Sequence, residues 1–290
     1  MMNLSRKQEK IKTKKTLAMQ KTFYQKELLI KATQQRKGVN NNKKDIEKIQ
    51  SWLSLFAMQN PSSGTATGID GDFGPATEKA VMNFQKVKNI SQTGIVNQAL
   101  FDLLASPLNK AFTAAIAGNN LRELIVNVAK NHLMNNPFEL VINQQNNAGP
   151  WVRAYMDGHE GTPWFWCMGF AQAVMDQAAS IQGKNFKNLM PLTYSCDTVG
   201  TTGLQKNILT RFQVARNNPA LIKSGDLFLL QKSLNDWTHT GIVIAVTGDV
   251  IETIEGNTNG AGSSNGNAVV NRIRNYRQSK LDFFSIQSLV

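Results

Sequence analysis

Cysteine is scarce in this chain: its 290 residues hold only Cys167 and Cys196. Two thiols cannot make a disulfide framework or a four-thiolate metal site; they leave either one bridge or two reduced side chains. Histidine is nearly as rare. His132 and His159 have no partner at ligand spacing, so together with His239 and Cys196 they make no zinc site. Asp70 and Asp72 lack the full spacing and the closing Glu of a calcium loop, and no metal or other cofactor is expected. No run approaches the roughly 18 consecutive apolar residues of a membrane-spanning helix, so no transmembrane segment is expected. The apolar patches near the N-terminus, such as Leu28-Leu29-Ile30, fall short of the apolar core of about 7–15 residues in a secretion signal.

Acidic charge is missing from one end. Residues 1–44 carry thirteen Lys or Arg against Glu9 and Glu27, a balance of +11 out of a net +12. The remainder is close to neutral, which argues against a folded domain that grips nucleic acid by a basic face, and no nucleic-acid partner is expected. The leader reads as a solvated, partly helical or disordered tail. An RNA-binding leader, the remote alternative, predicts salt-dependent binding lost with residues 1–44.

What is present divides in two. Gly38 and Asn40-Asn41-Asn42 punctuate the chain after the leader, and a small helical unit follows over 45–106. Ile46, Ile49, Leu53 and Phe56 recur at helical spacing with Asp45 as N-cap, Pro75 opens a second helix, and a third spans 96–104. Gly71 and Gly74 permit tight backbone around Asp70 and Phe73, and Phe73 and Phe84 read as core residues. A linker is expected over 107–120. Residues 121–290 read as helices first (121–132, 151–156 and one opening after Trp166) and antiparallel strands afterwards (226–230, 240–246, 250–255, 268–273, 282–286). That order is α+β.

In the second unit, Cys167 stands immediately before an amphipathic helix, where the helix dipole favours its thiolate. His239 precedes a strand, and Glu255 and Asn257 end the next one, so a nucleophile, a base and a group to orient the base each sit at the end of a scaffold element. The aromatic run Trp164-Phe165-Trp166 walls the nucleophile or packs in the core. Cys196 lacks a periodic helix behind it and reads as structural or incidental.

Two resemblances follow from these residues. Ile69-Asp70-Gly71-Asp72-Phe73-Gly74, Phe84-Gln85 and Thr93-Gly94-Ile95-Val96 resemble the three-helix peptidoglycan-binding domain. Trp166-Cys167-Met168-Gly169-Phe170, His239-Thr240-Gly241-Ile242-Val243 and Ile254-Glu255-Gly256-Asn257, in that order, resemble the CHAP family of cysteine, histidine-dependent amidohydrolases and peptidases. Asn147-Ala148-Gly149-Pro150 and Gly225-Asp226-Leu227 resemble further pieces of that family. The resemblance implies a papain-like domain with Cys167 as nucleophile, His239 as base, and Glu255 (favoured) or Asn257 as the orienting group. It also implies substrate contacts at Trp164, Trp166 and Asn147, and wall contacts around Asp70, Gly71, Phe73 and Gly74.

The function implied is hydrolysis of an amide bond in peptidoglycan, by an N-acetylmuramoyl-L-alanine amidase or a stem or cross-bridge endopeptidase. Alternatives are a non-catalytic wall-binding or virion structural protein, or a secreted antibacterial effector with an immunity partner. Action at the cell wall without a signal peptide would require a holin-type lesion, a virion or a dedicated secretion system.

Overall fold

The computed structural model of the protein describes residues 17–32, 34–261 and 265–290. The basic residues of 1–16 lie outside these. From Leu17 onward the leader is a packed strap, contrary to the expectation of a solvated tail. It holds a short helix α1 (Tyr24–Glu27) and a strand β1 (Gln34–Gln35). Lys21 and Glu27 are buried although charged, because each has an ionic partner in the C-terminal half. Lys21 Nζ meets Asp157 at 2.6 Å, and Glu27 takes both ends of the Arg153 guanidinium at 3.0 and 2.7 Å. The Tyr24 ring stacks on Phe112 with centroids 4.3 Å apart.

The helical unit contains α2 (Lys43–Gln59), α3 (Pro75–Val87), the two-residue strand β2 (Val96–Asn97) and α4 (Gln98–Leu104). Asn42, not Asp45, caps α2, its side chain accepting from the Asp45 N–H. The Asp45 carboxylate instead accepts from Lys31 N and Ala32 N and so anchors the strap. β1 pairs antiparallel with β2, which ties the strap to this unit as well. Residues 107–120, read as linker, include most of α5 (Ser106–Thr113), whose Leu108, Ala111 and Phe112 are buried. One continuous apolar core runs from Trp52 of α2 into the rest of the chain, where Trp151 meets it edge-on at 6.0 Å.

The C-terminal part is α+β. Its helices are α6 (Leu121–Met134), α7 (Pro150–Tyr155) after the hairpin β3 (Leu140–Ile142) and β4 (Gln145–Ala148), α8 (Cys167–Ile181) and α9 (Cys196–Gln205). β5 (Leu209–Thr210) and α10 (Phe212–Asn217) lead into β6 (Leu227–Ser233), β7 (Asp236–Thr247), β8 (Val250–Thr258), β9 (Ala268–Asn275) and β10 (Leu281–Phe284). The six-stranded sheet runs β5-β10-β6-β7-β8-β9, each pairing antiparallel. Alternation gives it two apolar faces. Ile242, Ile244 and Ile254 join the core with α8, while Phe228, Val243 and Ile251 join a smaller core with Ala215 and Ile222. Helix α8 is buried over nearly its whole length, as its Ala-rich sequence permits.

Candidate functional site

Cys167 is the first residue of α8, and Trp166 before it offers no side-chain cap. No acidic residue stands in the first turn either. The N–H groups of that end therefore keep their partial positive charge directed at the thiol. The sulfur is buried, 3% exposed, yet surrounded by hydrogen-bonding groups. A hydrogen bond with the Cys196 thiol lowers its pKa most; burial opposes that, and the His239 ring and the Thr240 N–H lower it further. The net result is a thiol held well below its ordinary value.

His239 lies within β7, not ahead of it, and is fully buried. Its Nε2 is 2.9 Å from Glu255 Oε2. Nδ1 is also buried and has no hydrogen-bond partner. Burial disfavours the charged imidazole, but the influence of the Cys167 thiol and the Glu255 carboxylate outweighs it and raises the pKa to about 9. Glu255 is itself clamped. Thr253 Oγ1 donates to Oε1 at 2.6 Å, and Arg274 Nε and Nη2 reach Oε1 and Oε2 at 2.6 Å each. Burial pushes this carboxyl up, and the Arg274 and His239 contacts overcome it, holding it at about 2. Gly241 clears the space: a Cβ there would stand 2.6 Å from Glu255 Cγ. Phe228 supports the clamp, with the Arg274 guanidinium 4.7 Å above its ring.

The other residues singled out in the sequence fall into two groups. Asn257 is fully buried beside this cluster in a left-handed conformation (φ 55°), and neither amide atom has a partner. Trp164 is half-buried, stacks on His159 at 4.1 Å and meets Tyr194 edge-on at 5.8 Å. Trp164 and Tyr194, with Phe165 and Ser195, line an open cleft of about 340 Å³. Trp166 and Asn147 are both buried. Trp166 is wholly buried, donating to Glu139 Oε2 at 2.8 Å and stacking on Tyr155 at 5.8 Å. Asn147 is 1% exposed and holds its own loop through Thr162 O.

In the helical unit, Phe73 is core and Gly74 precedes Pro75 at the start of α3. Asp70 and Gly71 shape the loop between α2 and α3 around the buried Gln50 amide. That amide donates to Asp70 Oδ1 at 2.7 Å and Asp72 O at 2.9 Å, and accepts from Gly71 N at 2.9 Å. Gly71 takes φ 74°, and a Cβ would fall 2.5 Å from Lys43 Cγ.

Three features escaped the sequence reading. Cys196 does open a helix, α9, with Ser195 as its N-cap. The run Cys-Asp-Thr-Val-Gly-Thr-Thr-Gly hides it, because β-branched and Gly residues weaken the helical signal. Arg274, the clamp on Glu255, carries no local motif. Lys21 reaches the cleft through Asp157, which also accepts from Tyr194 Oη at 2.8 Å. Among the described residues, no group of three His, Cys, Asp or Glu is placed to hold a metal ion, and no helix is long and apolar enough to cross a membrane. A larger cavity of about 600 Å³, between Leu55 and Met58 of α2 and Phe138 and Val269, contains no titratable side chain.

Residues 42–104 match the family described as a putative peptidoglycan binding domain. The chain thus carries an N-terminal peptidoglycan-binding region joined to an α+β C-terminal part. No curated protein and no solved structure gives a match.

Proposed function

We propose that the protein is a cysteine-dependent peptidoglycan hydrolase of the CHAP type that cleaves an amide bond of the wall. The observation that favours this reading is a buried His239 whose Nε2 lies 2.9 Å from Glu255, in the same α+β part as Cys167 at its uncapped helix start. The match over residues 42–104 supports a wall substrate, since tethering raises the local concentration of enzyme at its bonds.

The charges favour a thiolate–imidazolium pair at neutral pH. Cys167 attacks the amide carbonyl as thiolate, and the tetrahedral oxygen is stabilised by the Cys167 N–H at the start of α8. His239 gives its Nδ1 proton to the departing amine, which leaves a thioester. It then takes a proton from water, the resulting hydroxide releases the acid, and the thiolate is restored. Glu255 holds the imidazole through Nε2 and offsets its charge, while Arg274 and Thr253 keep Glu255 ionised. Asn257 lies close enough in sequence to serve as a second polar group in the same site. Substrate enters along the cleft lined by Trp164, Phe165 and Tyr194.

Digestion of purified peptidoglycan by the intact protein and by Cys167→Ala, with released ends identified by mass spectrometry, tests this reading. Fragments made only by the intact protein support it. Free muramyl lactyl groups identify an amidase, and new peptide termini an endopeptidase. Retained wall pull-down with no cleavage on several wall types overturns it in favour of a binding or structural protein.

A further inference from the structure

Of the three lysines in the strap, Lys26 and Lys31 are exposed, whereas Lys21 is buried. Burying an ammonium is costly unless a partner offsets it, and an apolar side chain would fill the space at less cost. The partner is Asp157, whose Oδ2 lies 2.6 Å from Lys21 Nζ. The same oxygen accepts from Tyr194 Oη at 2.8 Å, and the ammonium stands 5.3 Å from the centre of the Tyr194 ring. One carboxylate oxygen thus joins a strap residue to a wall of the cleft. The strap is fixed on both sides of this contact. Gln20 N and Lys21 N donate to Asp176 Oδ2 of α8 at 2.7 and 2.8 Å, and Leu17 N donates to Ser180 O at 3.0 Å. Beyond Lys21, the Phe23 ring packs on Gly158, where a Cβ would fall 2.6 Å from it. Asp157 holds a left-handed backbone (φ 53°) in the turn after α7. That turn leads to His159 and Trp164, whose rings stack at 4.1 Å, and Trp164 meets Tyr194 edge-on at 5.8 Å. Lys21, Asp157, Tyr194 and Trp164 form an unbroken run of contacts from the strap into the cleft.

We infer that Lys21 is a positioning residue: through Asp157 it holds the Tyr194 ring beside Trp164 and so sets the shape of the cleft in which a peptidoglycan fragment lies. Use of the cleft by the wall rests on the hydrolase proposed above; the link from Lys21 to Tyr194 does not. Asp157 is the joint in this run. Its side chain is 33% exposed, so water can take over its charge when the ammonium is removed. The carboxylate then turns outward, the Tyr194 hydroxyl loses its acceptor, and the ring is free to swing away from Trp164. The Tyr194 hydroxyl can bond to water in its new place, so the change falls on the shape of the cleft more than on stability. Lys21 itself touches no reacting atom. Its loss acts on retention of the fragment before it acts on the chemical step.

The test uses the full-length protein carrying Cys167→Ala, so that fragments are not consumed, and labelled with fluorotryptophan. The Trp164 fluorine signal is assigned by its absence from Trp164→Phe, and soluble muropeptides are titrated in. That signal reports the cleft alone, apart from any binding at residues 42–104. The expected result is a saturable shift whose dissociation constant is raised about fivefold or more by Lys21→Met, within the range of coupling between separate sites. Tyr194→Phe should weaken binding likewise, and Lys21→Met added to it should change little further, because the link is already cut. Additive losses would make Lys21 an ordinary support of the fold and overturn the proposal. So would a Trp164 signal indifferent to Lys21→Met or to muropeptides. Should Lys21→Met not fold, Asp157→Asn, which keeps the bonds of the strap to Asp176, takes its place in the cycle. Wall cleavage by the intact protein with Trp164 indifferent to muropeptides sinks this proposal and spares the hydrolase reading. The expected Trp164 response with no wall bond cut does the reverse.

Discussion

Gln50 in the helical unit and Glu255 in the sheet are both buried at the centre of a polar network, and the networks are built to different ends. Around Gln50 the partners are backbone groups and short side chains, and both the amide nitrogen and the amide oxygen are used. Such a network fixes a loop and asks nothing further of its atoms. Around Glu255 the partners are ionic, and the network stops short: His239 Nδ1 and both amide atoms of Asn257 are buried without partners. Leaving a buried polar group unpaired costs about 1–3 kcal/mol. Unpaired burial is not confined to that cluster, for Gln35 Nε2, Trp52 Nε1 and Asn147 Oδ1 are also buried without partners.

The comparison can be broken most decisively at the thiol. Cys167→Ala should reduce wall cleavage on the order of 10⁴-fold or more while wall pull-down, which belongs to the other network, persists. Residual cleavage at a tenth of the parent rate would place the chemistry elsewhere. Next in size is Arg274→Met, which strands a buried carboxylate. Denaturant unfolding should show a loss of about 3–5 kcal/mol, in line with breaking a buried ion pair from one side, and cleavage should fall with it. A loss below ~1 kcal/mol, the range of exposed pairs, would mean that the clamp is not a buried pair in solution. Gln50→Leu probes the satisfied network. It should cost about 1–3 kcal/mol for the donors it leaves unpaired around Asp70 and Gly71, and should weaken retention on insoluble wall. Unchanged retention would separate that loop from wall binding.

The smallest effect is a matter of pH. His239 is raised from 6.5 to about 9, so its contribution to stability is complete below 6.5 and is lost as pH rises through about 9. Glu255 is lowered from 4.5 to about 2, so its contribution is complete above 4.5 and is lost as pH falls through about 2. Both are fully present between 4.5 and 6.5, and melting temperature should decline toward pH 9. Glu255→Gln should bring the alkaline limb of the cleavage profile down from about 9, because one of the two groups holding the imidazole proton is gone. An unmoved limb would mean that Glu255 does not control His239.

Much of this architecture is legible in the sequence, and the remainder is hidden for identifiable reasons. Helix α8 follows from the Ala-rich apolar run after Cys167, and β7 and β8 from their β-branched residues around a Gly-Asp turn. Order along the chain points to Cys167, His239 and Glu255 through short motifs, although of the three only Cys167 lies at an element end. Arg274 is out of reach of such reasoning, since it meets Glu255 only through the register of β8 with β9. The burial of Trp166 is equally hidden: a tryptophan beside a nucleophile reads as a platform until Tyr155 and Glu139 are seen to enclose it. The strap defeats local reading altogether. A stretch rich in Lys and Gln has the composition of a solvated tail, and its partners lie far along the chain.

That distance has a consequence for how the molecule is made. Lys21 N bonds to Asp176 Oδ2 across 155 residues, and Glu27 pairs with Arg153 across 126. Such contacts close large loops, and their entropy must be met before any bond rewards it. On the ribosome the strap emerges ahead of everything it will hold; Asp45 and β2 become available to it first, and Arg153, Asp157 and Asp176 follow. Only when α7 and α8 have been synthesised can it settle. Assembly therefore ends where the chain's described portion begins, and a nascent chain stalled before Asp176 would lack the bonds that hold Gln20 N and Lys21 N while the partners of Lys31, Ala32 and β1 are already in place.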